Sequence, residues 1–355
     1  MKRVLLISNK VFHYRVSNYN YFHQRFREEG YELFVRADES QKNNPYPIDF
    51  DYQEIDFNFK RYKEEIQKIK PDVVFLFLHL KNLIIWPLML WLKAKGIKFV
   101  YWNKGVNLEV KHRWIRDKPF HLVHSLSDAI LLYSENEIGD IKKKHHSKLF
   151  VANNTINLTA FPKISETKEE IKQEFNILYK KYVLFVGRMR RIKRVEHLIE
   201  IFNSIDDPDL GCVIVGDSMD YDIPSMISKE NILYLGQVFD PKNEKVSKLF
   251  KAADLFCIPG EVGLGLNEAF HWGLPVLTEN CFQPPEIQYL KDGINGYMVA
   301  ENDTASLKEK LMLLLTDDAL REKFSKNAKE EIEKNGSIER MFSGFLDTAN
   351  FLTNS

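Results

Sequence analysis

The sequence predicts an α/β protein made of two doubly wound domains, each a parallel sheet covered by helices on both faces. Three observations lead to this fold class. Short apolar runs alternate with segments of helical periodicity, the alternation starts again after a polar stretch near residue 165, and the two halves of the chain carry opposite charge. We therefore expect an amino-terminal domain over residues 1–165 and a carboxyl-terminal domain over residues 166–355, with the last helix as a candidate to pack back on the first domain.

The predicted strands follow one another in a regular order. In the first half they are RVLLIS, YELFVRA, DVVFLFL, KFVYWN, AILLYS and KLFVANN, with helical segments at residues 19–29, at 62–69 and around Trp86. A polar stretch from Lys163 to Glu174 resembles a linker. After it come YVLFVG, CVIVGD, ILYLGQ, LFCIPG and PVLTEN, and then helices to the end. Apolar strands separated by helices are typical of a sheet buried on both faces.

Composition and charge exclude several classes of protein. Hydrophobic residues make up 44% of the 355 residues, and 50 basic residues balance 50 acidic ones, which argues against disorder and against a general nucleic-acid binder. The balance hides an asymmetry, because residues 1–165 contain 27 Lys and Arg against 18 Asp and Glu, a net charge of +9, and the remainder has 23 against 32, a net charge of −9. We expect no nucleic-acid partner, and we expect the first half to be attracted to anionic surfaces.

The start of the chain and its cysteines indicate the cytoplasm. The first residues, MKRVLLISNKVF, contain only a short apolar run without a small-residue cleavage site, which predicts a strand rather than a signal peptide. Cys212, Cys257 and Cys281 are scattered and have no metal-ligand spacing. We expect a cytoplasmic protein, with the inner face of the membrane as a further possible location.

A strand followed by a strongly basic loop is the first candidate for function. The segment LFVGRMRRIKRVEHL places five cations within seven positions, and the only acid nearby is Glu196. Cations at the start of a helix oppose its dipole, so the loop is unfavourable unless it binds an anion such as a phosphate. The alternative is a solvated basic loop. The five cations are Arg188, Arg190, Arg191, Lys193 and Arg194.

A glycine-rich segment, CIPGEVGLGLNEAFHWGLPVLTEN at residues 257–280, is the second candidate. Its glycines, Gly260, Gly263 and Gly265, let the backbone approach a ligand closely, and the helix predicted to start near Leu264 presents N–H groups to an anion. Glu268, one turn inside that helix, is either an exposed helix acid or an acceptor for a ribose diol. Ligands bind beyond the carboxyl ends of strands in such sheets. We therefore expect one crevice to be lined by the loops after Gly187, Gly216, Gly236 and Gly260.

Together these motifs resemble the retaining nucleotide-sugar glycosyltransferases of glycosyltransferase family 4. The likeness rests on G-R-x-x-x-x-K from Gly187 and on P-G-x-x-G-L-x-x-x-E-A-F-x-x-G-L-P-V from Pro259, and looser matches such as YWNKGVNL and LGQVFD extend it over most of the chain. The resemblance implies the GT-B architecture, two Rossmann-like domains facing across a crevice. It also implies transfer of a sugar from a nucleotide diphosphate to an acceptor hydroxyl with retention, in bacterial-type cell-surface polysaccharide or glycoconjugate assembly, with no metal and no cofactor.

The resemblance further implies roles for single residues. Arg188 and Lys193 would bind the donor diphosphate, the N–H groups of Gly263 and Leu264 would assist, and Glu268 would hold the ribose. The full donor set that we expect is Gly187, Arg188, Lys193, Gly216, Val238, Gly260, Glu261, Gly263, Leu264 and Glu268.

Two positions depart from the family pattern. Many relatives have a Glu that faces the donor sugar where this chain has Gly260, with Glu261 next to it. Relatives close to the YWNKGVNL pattern often have a His where this chain has Lys104, so Lys104 joins Arg188 and Lys193 as a catalytic candidate.

Four residues of the first half are candidates for the acceptor side. Tyr14 and Arg15 follow the first strand, His79 ends the strand VVFLFLH, and Asn103 ends KFVYWN. Tyr14 and Arg15 could equally belong to a surface loop, and His79 could be a core histidine.

A basic and aromatic face suggests docking on an anionic membrane, with a glycan or a lipid-linked intermediate as the acceptor. It combines Trp86, Trp91 and Trp114 with basic stretches at residues 60–70, 111–118 and 142–148. Two alternatives remain. The run NLIIWPLMLWL can be a helix of the core, and the basic face can serve only to attract anionic nucleotides.

Rival functions are a nucleotide-sugar epimerase on the same architecture and a sugar-nucleotide-binding subunit without catalysis. The absence of G-x-G-x-x-G after the first strand disfavours a dehydrogenase. The Asp220-Tyr-Asp triplet imitates a metal-binding motif by coincidence.

Overall fold

The computed structural model describes residues 1–40, 46–103, 105, 117–240 and 242–354. The chain divides into two compact units, Met1–Asn157 with Ser337–Ser355 (unit 1) and Leu158–Gly336 (unit 2). Each unit is a parallel sheet with helices on its faces, so the predicted fold class of two Rossmann-like α/β domains is confirmed.

Unit 1 contains a parallel sheet that has, within the described residues, seven strands in the order β3-β2-β1-β4-β5-β6-β7. The order reverses between β1 and β4, which is the switch point where doubly wound sheets bind ligands. The strands are β1 (Lys2–Val11), β2 (Tyr31–Ser40), β3 (Asp51–Glu54), β4 (Val73–Phe77), β5 (Lys98–Trp102), β6 (Ala129–Leu132) and β7 (Leu149–Val151). The helices are α1 (His13–Glu28), α2 (Phe59–Ile69), α3 (Ile85–Ala94), α4 (Lys118–Leu126) and, from the end of the chain, α12 (Ile338–Thr353).

Two apolar layers cover the faces of this sheet. One face packs against α1 and α12, where the rings of Phe22 and Phe345 lie 4.9 Å apart between centroids. The other face packs against α2, α3 and α4 and buries Leu88 and Leu92 of α3. The run NLIIWPLMLWL therefore forms a helix whose inner side belongs to the core.

Unit 2 contains a parallel sheet with the order β10-β9-β8-β11-β12-β13 in the part of the chain that the structure describes. Its switch point lies between β8 and β11. The strands are β8 (Lys181–Val186), β9 (Leu210–Val215), β10 (Ile232–Gly236), β11 (Leu255–Cys257), β12 (Val276–Glu279) and β13 (Gly296–Val299). The helices are α5 (Lys168–Glu174), α6 (Val195–Asn203), α7 (Ile223–Met226), α8 (Glu244–Ala252), α9 (Gly265–His271), α10 (Thr304–Thr316) and α11 (Asp318–Asn335).

The boundary between the units lies between Asn157 and Leu158, before the polar stretch from Lys163 to Glu174. Part of that stretch is helix α5, which begins with a capping box between Thr167 and Glu170. The stretch is also tied to α8, because the ammonium of Lys248 pairs with Glu166 at 2.7 Å and with Glu174 at 3.0 Å. These contacts tie the stretch to unit 2, which begins at Leu158, whereas the sequence predicts a boundary between residues 165 and 166. The carboxyl-terminal range also differs, since unit 2 ends at Gly336.

The sequence prediction missed two strands. The short β3 is largely exposed and lacks the apolar run used to find strands, and β13 is a four-residue strand, Gly296–Val299, that begins with a glycine. Helix α1 also begins at His13, earlier than the periodicity indicated.

Candidate functional site

The two candidate segments of unit 2 follow the two strands at its switch point. The basic loop leaves β8, and the glycine-rich loop leaves β11, which pairs directly with β8. Ligands of doubly wound sheets bind where such neighbouring loops diverge. The topology therefore brings together the two segments that the sequence singled out.

The backbones of these two loops are hydrogen-bonded to each other. The N–H of Gly260 donates to the carbonyl of Lys193 and the N–H of Glu261 donates to the carbonyl of Ile192, each with an N···O distance of 3.0 Å. A Cβ atom at position 260 would overlap the carbonyl oxygen of Ile192. Only glycine fits there, which gives a physical reason for the departure from the family pattern at Gly260.

Lys193 points into the glycine-rich loop. Its Nζ donates to the carbonyl oxygen of Glu261 and lies 3.7 Å from the place that a Cβ at Gly263 would take. Burial lowers the pKa of Lys193, the nearby carboxylates of Glu261 and Glu286 oppose that shift, and the charge of Arg188 adds to it. A partly buried ammonium beside a second cation is suited to bind an anion that enters the loop.

Further donor groups lie in the basic loop and the glycine-rich loop. Arg188 is exposed, directly after the partly buried Gly187. Within the described ranges, the N–H groups of Gly263 and Leu264 donate to no other group of the protein. Gly263 has a φ of 61°, a conformation that favours glycine.

Glu268 is not a simple surface acid. It lies one turn inside α9, and its Oε1 atom is buried and accepts no hydrogen bond from the described residues. Burial raises the pKa of Glu268 to about 8. The carboxyl group is therefore largely protonated at neutral pH until a ligand supplies hydrogen-bond donors.

Two further residues that were expected to bind the donor substrate, Gly216 and Val238, lie at or after the ends of strands. Gly216 has a φ of 137°, and a Cβ there would overlap the carbonyl oxygen of Gly187, so the ends of β8 and β9 approach too closely for a side chain. Gly216 also donates its N–H to Gly236 at 2.8 Å. Val238 is half-buried in the loop after β10.

The expectation that the basic loop has no acidic partner apart from Glu196 is wrong. Arg194 forms ion pairs with Glu279 and Glu301, which are distant in sequence. The N–H of Arg191 donates to Asp220 Oδ2 at 2.9 Å. Asp220 therefore has a structural role in holding the basic loop. These contacts neutralise Arg194, whereas Arg188, Arg190 and Arg191 are exposed and Lys193 lies in the glycine-rich loop.

Sequence analysis missed Gln283, which holds the glycine-rich loop. Its Nε2 donates to the carbonyl of Gly260 at 3.0 Å, and its Oε1 accepts the N–H of Val262 at 3.0 Å. Glu279, at the end of β12, was missed as well. Their position in the sequence could have identified them, because both residues lie at or after the carboxyl end of a predicted strand, where ligands of such sheets bind.

The acceptor candidates of unit 1 lie at the carboxyl ends of its strands. Arg15 is buried, which excludes a surface-loop role, and its guanidinium lies 5.1 Å from the ring of Trp102 and donates to Asn154 Oδ1 at 2.8 Å. Tyr14 is half-buried beside it, 5.5 Å from the guanidinium.

His79 and Asn103 also lie at this edge of unit 1. His79 is exposed, so the alternative of a core histidine is wrong. Asn103 is half-buried directly after β5, and its N–H donates to the carbonyl of Leu131. Lys104 lies outside the described residues.

The described ranges contain neither a candidate metal cluster nor a candidate membrane-spanning helix. No three or more His, Cys, Asp or Glu side chains there are grouped so that they could hold a metal ion. None of the helices among those residues combines the length and apolar character that crossing a bilayer requires.

Comparison with known families gives the site its context. Residues 167–331 match the family described as "Glycosyl transferases group 1". The matched range lies within unit 2. This match contains the basic loop, the glycine-rich loop and Glu268.

Two curated relatives are similar to part of the chain. The chain is 24% identical over 186 residues to N-acetyl-alpha-D-glucosaminyl L-malate synthase of Bacillus anthracis, which covers 50% of this chain and 47% of that protein. It is 22% identical over 282 residues to the capsular polysaccharide biosynthesis glycosyltransferase CapM of Staphylococcus aureus, covering 70% of each. In several of these matches the chain spans about half the length of the curated relative.

Solved structures match the fold over the whole chain. A glycosyltransferase from Rickettsia africae has a TM-score of 0.79 at 16% identity, covering 100% of both chains. HepE of Anabaena, solved in complex with UDP, has a TM-score of 0.78 at 13% identity, covering 99% of this chain and 100% of that one. These similarities support the GT-B fold class.

Proposed function

We propose that this chain is a glycosyltransferase that transfers a sugar from a nucleotide-diphosphate donor to an acceptor hydroxyl, with retention of anomeric configuration. One observation carries the proposal: Lys193 is held inside the glycine-rich loop at the switch point of unit 2, beside Arg188. Two cations, with the N–H groups of Gly263 and Leu264 that donate to none of the described residues, suit a diphosphate at such a point.

The chemistry follows from where charge develops. When the bond between the sugar and the diphosphate breaks, negative charge accumulates on the departing diphosphate oxygens while the sugar becomes oxocarbenium-like. Arg188 can donate to two oxygens in parallel, and the ammonium of Lys193 acts as a point charge. Since these groups are already in position, they stabilise the departing diphosphate more than the ground state.

Glu268 supports the nucleoside part of the proposal. Its Oε1 is a buried acceptor without a donor among the described residues. A ribose diol supplies two O–H donors, so binding would satisfy an atom that is otherwise costly to bury. This contact exists before and during the reaction and therefore contributes to binding rather than to the maximal rate.

The donor and acceptor classes rest on similarity. HepE was solved with UDP, and CapM is named for capsular polysaccharide biosynthesis. We propose a nucleoside-diphosphate sugar as donor and a glycan or lipid-linked glycan as acceptor, in assembly of a cell-surface polysaccharide or glycoconjugate. Neither a metal nor a cofactor is needed in this proposal, because cationic side chains replace the metal, and the retaining course follows from the family resemblance.

Unit 1 carries a face that fits an anionic membrane. Leu83 and Leu90, at and near helix α3, are 80% and 57% exposed. Exposed lysines lie close to them in sequence at Lys81, Lys93 and Lys95, of which Lys93 pairs with Asp128. Trp86 and Trp91 are partly buried against the core, so the leucines rather than these tryptophans form the apolar part of the face. Apolar side chains within a basic rim favour reversible binding to anionic lipid. Trp114 lies outside the described residues.

The rival function, a subunit without catalysis, has less support because Gly260 has a packing role. It was based on Gly260 in place of a family Glu, and the contact of position 260 with Ile192 explains the glycine by packing. Incubation of the donor with and without acceptor separates transfer from epimerisation.

A ligand panel tests the proposal. UDP, GDP, ADP and CDP are added to the protein in the presence of a chelator, and the shift in melting temperature is measured. We expect one or more of these to stabilise the wild type and to stabilise Lys193→Met much less, while the matched control Arg190→Ala, which removes an exposed cation of the same loop, responds like the wild type. No stabilisation by any of the four would contradict the donor assignment.

A further inference from the structure

Arg194 adopts a backbone conformation that its side chain does not favour. It lies between the 3₁₀ turn Arg191–Lys193 and helix α6, with φ 52° and ψ 40°. This left-handed region is unfavourable for residues other than glycine, because Cβ approaches the backbone. Backbone hydrogen bonds support the turn, since the N–H of Arg194 donates to the carbonyl of Arg191 at 3.1 Å, and contacts of the side chain add to them.

The side chain of Arg194 is held by two carboxylates. Its Nη1 pairs with Glu279, whose side chain is fully buried, and its Nη2 pairs with Glu301, which is half-exposed. The Glu279 carboxylate also accepts from His197 Nδ1 at 2.6 Å and from the N–H of Asn302 at 2.8 Å. A buried carboxylate with three donors is a fixed point to which Arg194 is attached.

The same glutamate is attached to the glycine-rich loop through its backbone. The N–H of Glu279 donates to the carbonyl of Pro259 at 2.8 Å, and its own carbonyl accepts from Gln283 Nε2 at 3.0 Å. That Nε2 also donates to Gly260. Glu279 therefore links Arg194, the residue after Lys193, to the glycine-rich loop that Lys193 contacts.

We propose that Arg194 and Glu279 are positioning residues that fix the shape of the diphosphate site without touching the ligand. Their ion pair holds the backbone turn at residue 194, and this turn sets the direction of Lys193 and its carbonyl contact with Gly260. The inference rests on the proposed function, since it takes the ligand of Lys193 to be a diphosphate. It predicts that loss of the ion pair weakens binding of the diphosphate part of the ligand and leaves binding of the nucleoside part unchanged.

Calorimetric titrations distinguish these parts. The probes are the best-binding nucleoside diphosphate of the four in the panel, its nucleoside, and inorganic pyrophosphate. Arg194→Ala is expected to weaken binding of the nucleoside diphosphate and of pyrophosphate about tenfold, because alanine keeps the unfavourable φ without the ion pair. Affinity for the nucleoside is expected to stay within about twofold, which a general loss of structure would not allow.

Two matched variants separate geometry from charge. Arg194→Gly is expected to lose less than about threefold in diphosphate affinity, because glycine adopts the left-handed conformation without help. Arg190→Ala removes a positive charge from the same loop and is also expected to stay within about threefold, as a surface charge does. If Arg194→Ala does not fold, Glu279→Gln replaces it, since the amide still accepts from Asn302 but lacks the charge that holds Arg194.

The outcomes are decisive in both directions. Wild-type diphosphate affinity in Arg194→Ala or Glu279→Gln, an equal loss for the nucleoside, or equal losses in the alanine and glycine variants would each overturn the positioning role. Lys193→Met is measured alongside. If Lys193→Met loses diphosphate affinity and Arg194→Ala does not, only this inference fails, whereas unchanged affinity in Lys193→Met contradicts the proposed function itself.

Discussion

The backbone N–H of Gly260 donates to the carbonyl oxygen of Lys193, across 67 positions of sequence, with an N···O distance of 3.0 Å. The two residues belong to loops that follow adjacent strands, β8 and β11, and position 260 has no space for a side chain beside Ile192. The basic loop and the glycine-rich loop thus form one structural element, and its integrity depends on a glycine.

Gly260→Ala should therefore damage both stability and donor binding. The new methyl group would force the loops apart, at a cost of about 1–3 kcal/mol in the free energy of unfolding, as overpacking does in closely packed sites. Chemical denaturation measures the loss, and nucleotide titration measures the change in affinity. Gly139→Ala is the control, because a Cβ there meets open space, and we expect it to stay within about 0.5 kcal/mol of the wild type. Equal stability of the two variants would refute the packing argument.

Glu268 should make nucleoside binding depend on pH. Its pKa of about 8 in the free protein means that the carboxyl group carries a proton at pH 7. Ribose hydroxyls donate to the carboxylate and so favour the deprotonated form, which means that binding releases a proton and that affinity rises with pH until the pKa is passed. Between pH 6 and pH 7 the affinity should rise by up to about tenfold.

The measurement is a titration with a nucleoside, which avoids the ionisation of phosphate groups. Glu268→Gln provides the matched control, because it keeps an acceptor oxygen but cannot ionise. We expect it to bind with an affinity that hardly changes over this range of pH, and Glu268→Ala to bind more weakly at every pH. If the wild type and Glu268→Gln show the same pH profile, Glu268 does not contact the ribose.

The apolar and basic face of unit 1 should bind anionic vesicles. Replacing the exposed Leu83 and Leu90 by Ser is expected to reduce cosedimentation with vesicles of phosphatidylglycerol and phosphatidylcholine, since burial of apolar area in the interface is lost. The control is Leu178→Ser in unit 2, which removes a side chain that is 89% exposed. Binding should also weaken with salt, because the electrostatic part is screened. Absence of wild-type binding at low salt would rule out this face as a membrane site.

Much of the fold could be predicted from the sequence because continuous apolar strands leave a strong pattern. Runs such as those around Val74 and Val213 are buried on both faces of their sheets, and such runs, alternating with helices, are typical of a parallel sheet covered on both faces. The pattern failed where burial is weak. The exposed β3 has no apolar run, and helix α5 was hidden in polar sequence, although Thr167 and Glu170 carried the signal of a capping box.

The candidate site could be predicted only in part, because sequence shows local neighbours and the site depends on distant ones. Arg188, Lys193 and Glu268 lie in motifs that can be recognised within a few positions. The ion pair of Arg194 with Glu279 spans 85 positions and depends on the pairing of strands in the sheet. For the same reason, the loop appeared to have an excess of positive charge that the structure partly neutralises.

The central claim is that Arg188 and Lys193 stabilise the departing diphosphate, and a rate measurement tests it most directly. Nucleotide sugars that contain the base of the best-binding diphosphate in the panel are assayed with glycan acceptors. For the donor that turns over, rates are measured for the wild type, Arg188→Ala, Lys193→Met and the control Arg190→Ala, with thermal melts to confirm folding. The account predicts that the first two variants lose a factor of about 100 or more in kcat, as removal of a preorganised charge partner does, and that Arg190→Ala keeps nearly the full rate. Unchanged turnover in both Arg188→Ala and Lys193→Met would contradict it.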